Sequence, residues 1–143
     1  MRKSYLQILL DLVFIIVFCG LAFLSLSRSF GVPEFARYFE LLFGSDKALH
    51  FFAGTVITLT IFRASSRLLA AKYINILFFS LALSTLLLTI DEFSQLANSY
   101  RNFDIYDLIA GLSGLTLAAT LLVIIYKFFI PQSKFNVENI DLR

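Results

Sequence analysis

Long apolar segments alternate with short polar segments along this chain, and the alternation predicts four membrane-spanning helices. A helix needs about 20 apolar residues to cross the hydrocarbon core of a bilayer, and each segment approaches that length. The predicted spans cover about residues 6–26, 47–62, 73–92 and 106–128. The second span is only just long enough, because Arg63 and Arg67 are predicted to belong to the connection that follows it.

A shorter apolar pattern lies between the first two predicted spans. Residues 34–43 place apolar side chains at helical spacing, at Phe35, Phe39, Leu42 and Phe43. This spacing predicts a short amphipathic helix that lies in the membrane interface after the first span. Ser45 or Asp46 then supplies a suitable N-cap for the second span.

The composition agrees with a chain that is embedded in a membrane. Of its 143 residues 59% are hydrophobic and the mean hydropathy is +0.83, whereas soluble domains are about 45–50% apolar. The predicted fold is therefore an all-α polytopic membrane protein, with one four-helix transmembrane domain over residues 1–130 and a polar cytoplasmic tail over residues 131–143. The single cysteine, Cys19, excludes an internal disulfide.

The basic residues predict how the spans are oriented. Lys and Arg in short loops favour the cytoplasmic side, and eight of the twelve lie on the side that carries both termini. Both termini are therefore predicted to be cytoplasmic. Asp11 is unusual for the core of a signal peptide, so the first apolar segment is predicted to be a true span. Within it, Asp11 is expected to reach the interface or to pair with a neighbouring Arg or Lys.

The stretch from Asp91 to Asp107 is the richest polar segment of the sequence. The predicted topology places it on the outer face together with the start of the second span. Side chains three or four residues apart share one helix face, which groups Asp46 with His50, Asp91 with Gln95, and Asp104 with Asp107. The predicted ligand-binding residues of this outer-face site are Asp46, Lys47, His50, Asp91, Glu92, Gln95, Arg101, Asp104 and Asp107.

Small residues continue these stripes towards the middle of the membrane. They are Ala53 and Gly54 on the second span, and Gly111, Gly114 and Ala118 on the fourth. Small side chains let membrane helices approach each other closely. The polar stripes are therefore predicted to face other helices and not lipid.

The same residues resemble a known family. The elements Asp46-Lys47-x-x-His50-Phe51, Asp91-Glu92-x-x-Gln95 and Arg101-x-x-Asp104-x-x-Asp107, followed by Gly114, resemble VanZ-like integral membrane proteins, which are named after an accessory protein of glycopeptide (teicoplanin) resistance. The resemblance covers about residues 45–126 and implies four or more helices and a link to the cell envelope. The family often has Asn at the position of Gly111, and glycine there favours tighter helix contact.

His50 is the only histidine, and its free pKa of about 6.5 suits proton transfer. With a carboxylate from Asp46, Asp91 or Asp107 as its orienting partner, it could serve as a general base. If the protein is an enzyme, the predicted catalytic residues are His50, Asp91 and Asp107. The alternative is a structural histidine that bridges two helices through hydrogen bonds.

Arg101 and the adjacent acids leave two further interpretations. The planar guanidinium of Arg101 could clamp a phosphate or carboxylate, or it could tie the loop to Asp104 or Glu92. Asp91 and Glu92 are about 100° apart on a helix, so only one of them can face the site together with Gln95. Asp91 is predicted to do so, with Glu92 turned towards Lys47 or solvent.

The acidic side chains and His50 could also coordinate a divalent cation. Lys47 and Arg101 supply counter-charges, so an internal salt-bridge network is favoured. The sequence therefore predicts no metal and no cofactor.

Three functional hypotheses follow. The first is a VanZ-like protein of the bacterial inner membrane that binds an amphipathic envelope ligand, such as a lipid-linked precursor or the lipid tail of a glycopeptide, and contributes to teicoplanin resistance. The second is a membrane hydrolase or transferase that acts on a lipid-linked phosphate or ester through His50 and an Asp. The third is a structural partner of another membrane protein. Membrane lipids are the expected surroundings in each case, and the sequence has no nucleic-acid motif.

Overall fold

A computed structural model describes residues 5–32 and 34–129 of the chain, and regular structure in these residues is entirely helical. The elements are α1 (Tyr5–Ser29), α2 (Glu34–Phe43), α3 (Asp46–Leu68), α4 (Tyr73–Ser94), a 3₁₀ turn (Gln95–Ala97) and α5 (Ile105–Phe129). Within the described residues, α1, α3, α4 with its 3₁₀ turn, and α5 are long and apolar enough to cross a membrane. The chain is thus an all-α polytopic membrane protein, as the sequence predicted. The predicted tail over residues 131–143 lies outside the described residues.

The four long helices alternate in direction, so their ends meet at two opposite ends of the bundle. At one end α1 and α4 finish, while α3 and α5 begin, and we call this the polar end. At the opposite end the Tyr73 hydroxyl of α4 donates a hydrogen bond of 2.6 Å to the Leu122 carbonyl of α5. At the polar end His50 of α3 lies 3.9 Å from Asp107 of α5, and Glu92 of α4 accepts a hydrogen bond from the Asp104 N–H just before α5. The predicted adjacency of the second, third and fourth spans at this end is therefore confirmed.

The predicted connection after the second span is partly wrong, because α3 continues through Arg63 and Arg67 to Leu68. Both arginines face Asp11 of α1: Arg63 contacts its carboxylate directly, and Arg67 lies 3.2 Å from it. Basic side chains near a helix C-terminus also interact favourably with the helix dipole. These contacts stabilise the last turns of α3 and confirm the predicted pairing of Asp11 with a basic residue.

The short helix α2 matches the predicted amphipathic segment. Its entry and exit depend on Gly31 and Gly44, whose φ angles of 75° and 84° lie in the left-handed region that favours glycine. Ala36 of α2 is completely buried. Of the two predicted N-caps for α3, Ser45 takes the role and accepts a hydrogen bond of 3.1 Å from the Ala48 amide.

The close packing of α3 against α5 occurs at the predicted small residues. A Cβ atom on Gly54 would collide with the carbonyl of Gly111, and one on Gly114 would collide with the carbonyl of Phe51. The Thr55 hydroxyl adds a hydrogen bond of 3.1 Å to the Gly114 carbonyl. Backbone therefore packs on backbone here, which fixes how the residues one turn nearer the polar end face each other.

Helix α1 is the least enclosed of the long helices. Only 6% of its most apolar 18-residue segment is buried, compared with 22–33% for the other three helices. Its polar contacts lie near its two ends, at Asp11 and over residues 25–29. The second half of α1 borders a cavity between the helices.

Candidate functional site

The polar end collects all nine predicted site residues, but it divides most of them between two separate ion-pair clusters. The His50 cluster consists of Asp46, Lys47, His50, Asp104 and Asp107. The Arg101 cluster consists of Ser25, Asp91 and Arg101. Glu92 and Gln95 form a third contact, beneath the loop that leads into α5.

In the His50 cluster, Lys47 joins two carboxylates of the α5 region. Its ammonium lies 2.7 Å from Asp104 and 3.0 Å from Asp107. Asp107 is buried, with only 7% of its side chain exposed, whereas half of the Lys47 side chain is exposed. A carboxylate so deeply buried is stable only when it is paired, and Lys47 provides that pairing.

The His50 imidazole lies between two carboxylates on different helices. Its Nε2 atom is 3.6 Å from Asp46 Oδ1 and 3.9 Å from Asp107 Oδ2. Both separations exceed hydrogen-bond length, and among the described residues the ring makes no hydrogen bond. His50 therefore sits at a junction of α3 and α5, and both the general-base role and the structural role that bridges two helices stay predictions.

Asp104 lies just outside the predicted spans, and its pKa is lowered from the ordinary value of 3.8. The main cause is the hydrogen bond from Lys47, followed by the bond of 2.8 Å from the Tyr106 amide. Both interactions favour the charged carboxylate. The start of α5 is thus held in place by an ionised aspartate.

In the Arg101 cluster, a largely buried arginine faces Asp91 in the two-pronged geometry that guanidinium favours. Two nitrogens of Arg101 lie 3.3 Å from the two carboxylate oxygens, and only 6% of the Arg101 side chain is exposed. Ser25 of α1 completes the cluster: its hydroxyl contacts Asp91 and lies 3.0 Å from Arg101. The suggested tie of Arg101 to Asp104 or Glu92 is wrong.

Glu92, and not Asp91 as predicted, bonds with Gln95, and Glu92 is buried and does not face solvent. Only 1% of Glu92 is exposed, and it accepts hydrogen bonds from the Gln95 amide (2.8 Å) and the Asp104 backbone N–H (2.9 Å). It therefore faces the turn before α5, while Asp91 faces α1. The prediction failed because a 100° difference separates the two faces, and the position of α1 decides which acid meets a cation.

Three contributors from the first part of the chain were not predicted from the sequence: Ser25, Arg28 and Glu40. Arg28, in the last turn of α1, contacts Glu40 of α2 and lies 3.0 Å from Asp46. Its place at the end of an apolar segment is a usable signal in the sequence, because a cation there needs an acidic partner. No sequence spacing links Ser25 to Asp91, which is 66 positions away.

A cavity of about 340 Å³ lies between α1, α3 and α4 and connects the two clusters. Its polar lining comes from Ser25, Arg28, His50, Asp91 and Arg101. The remaining lining is apolar and includes Phe18, Leu21, Leu49, Ile57 and Leu87. The cavity therefore offers two arginines and an imidazole next to hydrocarbon walls.

The His50 cluster also contains a set of side chains with the donor types of a metal site. Asp46, His50 and Asp107 each offer one ligand atom, and these atoms lie within 4.8 Å of one another. Asp91, predicted as a catalytic partner of His50, belongs to the Arg101 cluster. The two carboxylates nearest the imidazole are those of Asp46 and Asp107.

Comparison of the chain with protein-family models, curated proteins and solved structures found no match. The resemblance to VanZ-like proteins stays a prediction, and the functional proposal rests on the geometry of the polar end.

Proposed function

We propose that this chain is a VanZ-like protein of the bacterial cell envelope that binds an amphipathic, lipid-linked anion in the cavity at its polar end. The polar end lies at the outer leaflet of the cytoplasmic membrane, and both termini are cytoplasmic. Ligands of this class include lipid-linked wall precursors and lipid-tailed glycopeptides. Binding of this kind connects the protein to teicoplanin resistance.

The observation that carries the proposal is the division of the cavity into a polar part that offers guanidinium N–H donors and an apolar part. Arg28, Arg101, His50 and Asp91 line the polar part, and aliphatic and aromatic side chains line the rest. Its volume of about 340 Å³ is within the range of about 300–1,000 Å³ that is usual for small-molecule sites. An acyl or prenyl chain suits the walls, and a phosphate or carboxylate suits the arginines.

The arginines are held in position before any ligand arrives. Asp91 and Ser25 fix the Arg101 guanidinium, so little side-chain entropy remains to be lost on binding. Arg28 meets both of its carboxylates through Nη2, and its guanidinium has further N–H donors for an anion. Preorganised donors of this kind favour binding of a bidentate oxyanion.

The test is binding of a defined lipid to the purified chain in detergent micelles, followed by native mass spectrometry with undecaprenyl phosphate as the probe. We expect Arg101→Gln to weaken binding at least roughly tenfold, because a charged hydrogen bond contributes about 1.5–3 kcal/mol. The matched control is Arg37→Gln, since Arg37 is exposed on α2 and does not line the cavity. Equal affinity of the two variants for undecaprenyl phosphate would contradict the proposed site.

A cellular experiment separates binding from folding. Expression in a teicoplanin-susceptible bacterium should reduce susceptibility, and Ala at His50, Asp91, Arg101 or Asp107 should abolish this effect while the protein accumulates normally. An unchanged phenotype in all four variants would contradict a role of the polar end.

A second candidate is a hydrolase or transferase for a lipid-linked phosphate or ester. It is favoured by His50, which lines the cavity and has carboxylates at 3.6 and 3.9 Å. Turnover of a lipid pyrophosphate by the wild-type chain, and its loss in His50→Gln, would support this candidate. No turnover from acidic to basic pH, with and without added divalent metals, would exclude it.

A further inference from the structure

The geometry of Asp46, His50 and Asp107 points to a binding site for a divalent transition cation, with Zn²⁺ as the best fit. This inference goes beyond the proposed lipid binding and does not depend on it. The sequence predicts no metal, because Lys47 and Arg101 both supply counter-charges to the acids around His50 in that prediction. In the structure Arg101 pairs with Asp91, so it does not neutralise these acids.

The spacing of the donors is the first reason for a cation. Nε2 of His50 lies 3.6 Å from Asp46 and 3.9 Å from Asp107, too far for hydrogen bonds although all three side chains converge. Donors that each lie about 2.0–2.2 Å from one Zn²⁺ are roughly 3.0–3.5 Å apart. All three ligand atoms lie within 4.8 Å of one another, so side-chain movements of about 1 Å bring the set to coordination distance. The Asp46 side chain is 37% exposed, so it has room to move once Arg28 releases it.

The charge balance of the surrounding network is the second reason. Among the described residues, four carboxylates, from Glu40, Asp46, Asp104 and Asp107, are connected to two cations, Arg28 and Lys47. With a neutral imidazole this network lacks two positive charges. A divalent cation supplies that number, and its binding relieves the repulsion between Asp46 and Asp107.

The existing salt bridges can rearrange to admit the cation without leaving a protein charge unpaired. Arg28 contacts both Glu40 and Asp46, so it retains Glu40 when a metal takes Asp46. Lys47 lies 2.7 Å from Asp104, so it retains that partner when Asp107 turns to the metal. Each competing side chain thus has a second carboxylate in place.

The donor set selects the class of metal. An imidazole nitrogen with two carboxylates suits Zn²⁺ and similar first-row cations, whereas Mg²⁺ and Ca²⁺ prefer oxygen donors alone. Three protein ligands leave at least one coordination position for water or an anion. His50 also lines the cavity, so that position is close to where the head group of the proposed lipid would lie.

The experiment is a metal titration of the full chain in detergent, after removal of metals with a chelator and without added lipid. We expect uptake of one Zn²⁺ per chain by elemental analysis and calorimetry. Co²⁺ bound in its place should give the intense visible absorption of a low-coordinate site with nitrogen and oxygen ligands. Absence of stoichiometric uptake by the wild-type chain would overturn the inference.

Variants locate the cation. Asp107→Asn and His50→Gln should each weaken Zn²⁺ binding roughly 100-fold or more, since loss of a ligand exceeds the 10–100-fold cost of losing a supporting contact. Asp46→Asn, at a partly exposed position that tolerates change, should do the same in a chain that still folds. The matched control is Asp91→Asn, which removes a carboxylate of the Arg101 cluster and should leave Zn²⁺ affinity unchanged. Equal loss in Asp91→Asn, or wild-type affinity in Asp46→Asn, would disprove the assignment.

The same control separates this inference from the proposed function. Asp91→Asn should disturb lipid binding at Arg101 and not metal binding, whereas Asp46→Asn should abolish metal binding. Stoichiometric Zn²⁺ without lipid binding would reject only the proposed function, and lipid binding without Zn²⁺ would reject only the metal site.

Discussion

The carbonyl of Gly111 occupies the space that a side chain on Gly54 would need. This contact brings the backbones of α3 and α5 together about two helical turns from the polar end. His50 and Asp107 each lie four residues, about one helical turn, before these glycines, so the same contact places the imidazole opposite the carboxylate. The geometry of the His50 cluster is therefore set by a steric feature one turn away.

Gly54→Ala should lower the free energy of unfolding by about 1–3 kcal/mol, because a methyl group there must push apart two backbones. Unfolding in a mild detergent titrated with sodium dodecyl sulfate measures this change in the free energy of unfolding. Gly20→Ala is the matched control, since a Cβ at Gly20 of α1 meets nothing within 4 Å. Equal stability of the two variants would show that α3 and α5 are not in close contact.

Glu92→Ala should destabilise the turn before α5, because it leaves the Gln95 side-chain amide and the Asp104 backbone N–H without an acceptor. Each unsatisfied buried donor costs about 1–3 kcal/mol. Glu92→Gln retains one carbonyl oxygen, so it should have a smaller effect. Glu34→Gln, at an exposed acid of α2, should have almost none. The same detergent titration ranks the three variants, and the opposite order for Ala and Gln at position 92 would contradict the hydrogen bonds.

Asp104 should make stability depend on pH on the acidic side. Its folded pKa is lowered below 3.8, chiefly by the hydrogen bond from Lys47, so the unfolded chain binds a proton more readily. The stabilisation is therefore complete above the ordinary pKa and is lost as the pH falls through the lower folded value. Thermal melting of wild type and Asp104→Asn across this range measures it. The melting temperature of the variant should fall less at acidic pH than that of the wild type. An identical dependence on pH would contradict the stabilising role of the ionised Asp104.

At the opposite end, Arg63→Gln should weaken the attachment of α1. The Arg63 and Asp11 side chains are both only 27% exposed and in direct contact, so we expect a loss of about 1 kcal/mol in the free energy of unfolding. Asp11→Asn combined with Arg63→Gln should cost less than the sum of the single changes. Lys72→Gln, in the exposed connection between α3 and α4, serves as the control. Strict additivity would indicate that the two residues do not interact.

Some features of the polar end could be predicted because they depend on position along the chain. The acids at Asp46, Asp104 and Asp107 interrupt apolar segments at places that topology brings to one end, and Lys47 lies among them. Gly111 was expected to give tight helix contact, and its carbonyl indeed fills the space that a Cβ atom on Gly54 would need. Each of these inferences needed only helical periodicity and the alternation of spans.

Other features depend on helix rotation and on contacts distant in sequence. The different partners of Asp91 and Glu92 depend on which face of α4 meets α1. Ser25 and Arg28 approach the site only through the packing of α1.

The sequence by itself determined the all-α class, the four apolar helices and the end of the bundle where the charges meet, because hydrophobicity and charge act locally along the chain. Only the tertiary structure decided which charges pair, that a cavity connects two arginines with His50, and that Asp46, His50 and Asp107 converge. The physical reason is that salt bridges form within a few ångströms, and such distances depend on the rotation and close approach of whole helices. The periodicity of the sequence alone does not determine how the helices are rotated or how closely they approach.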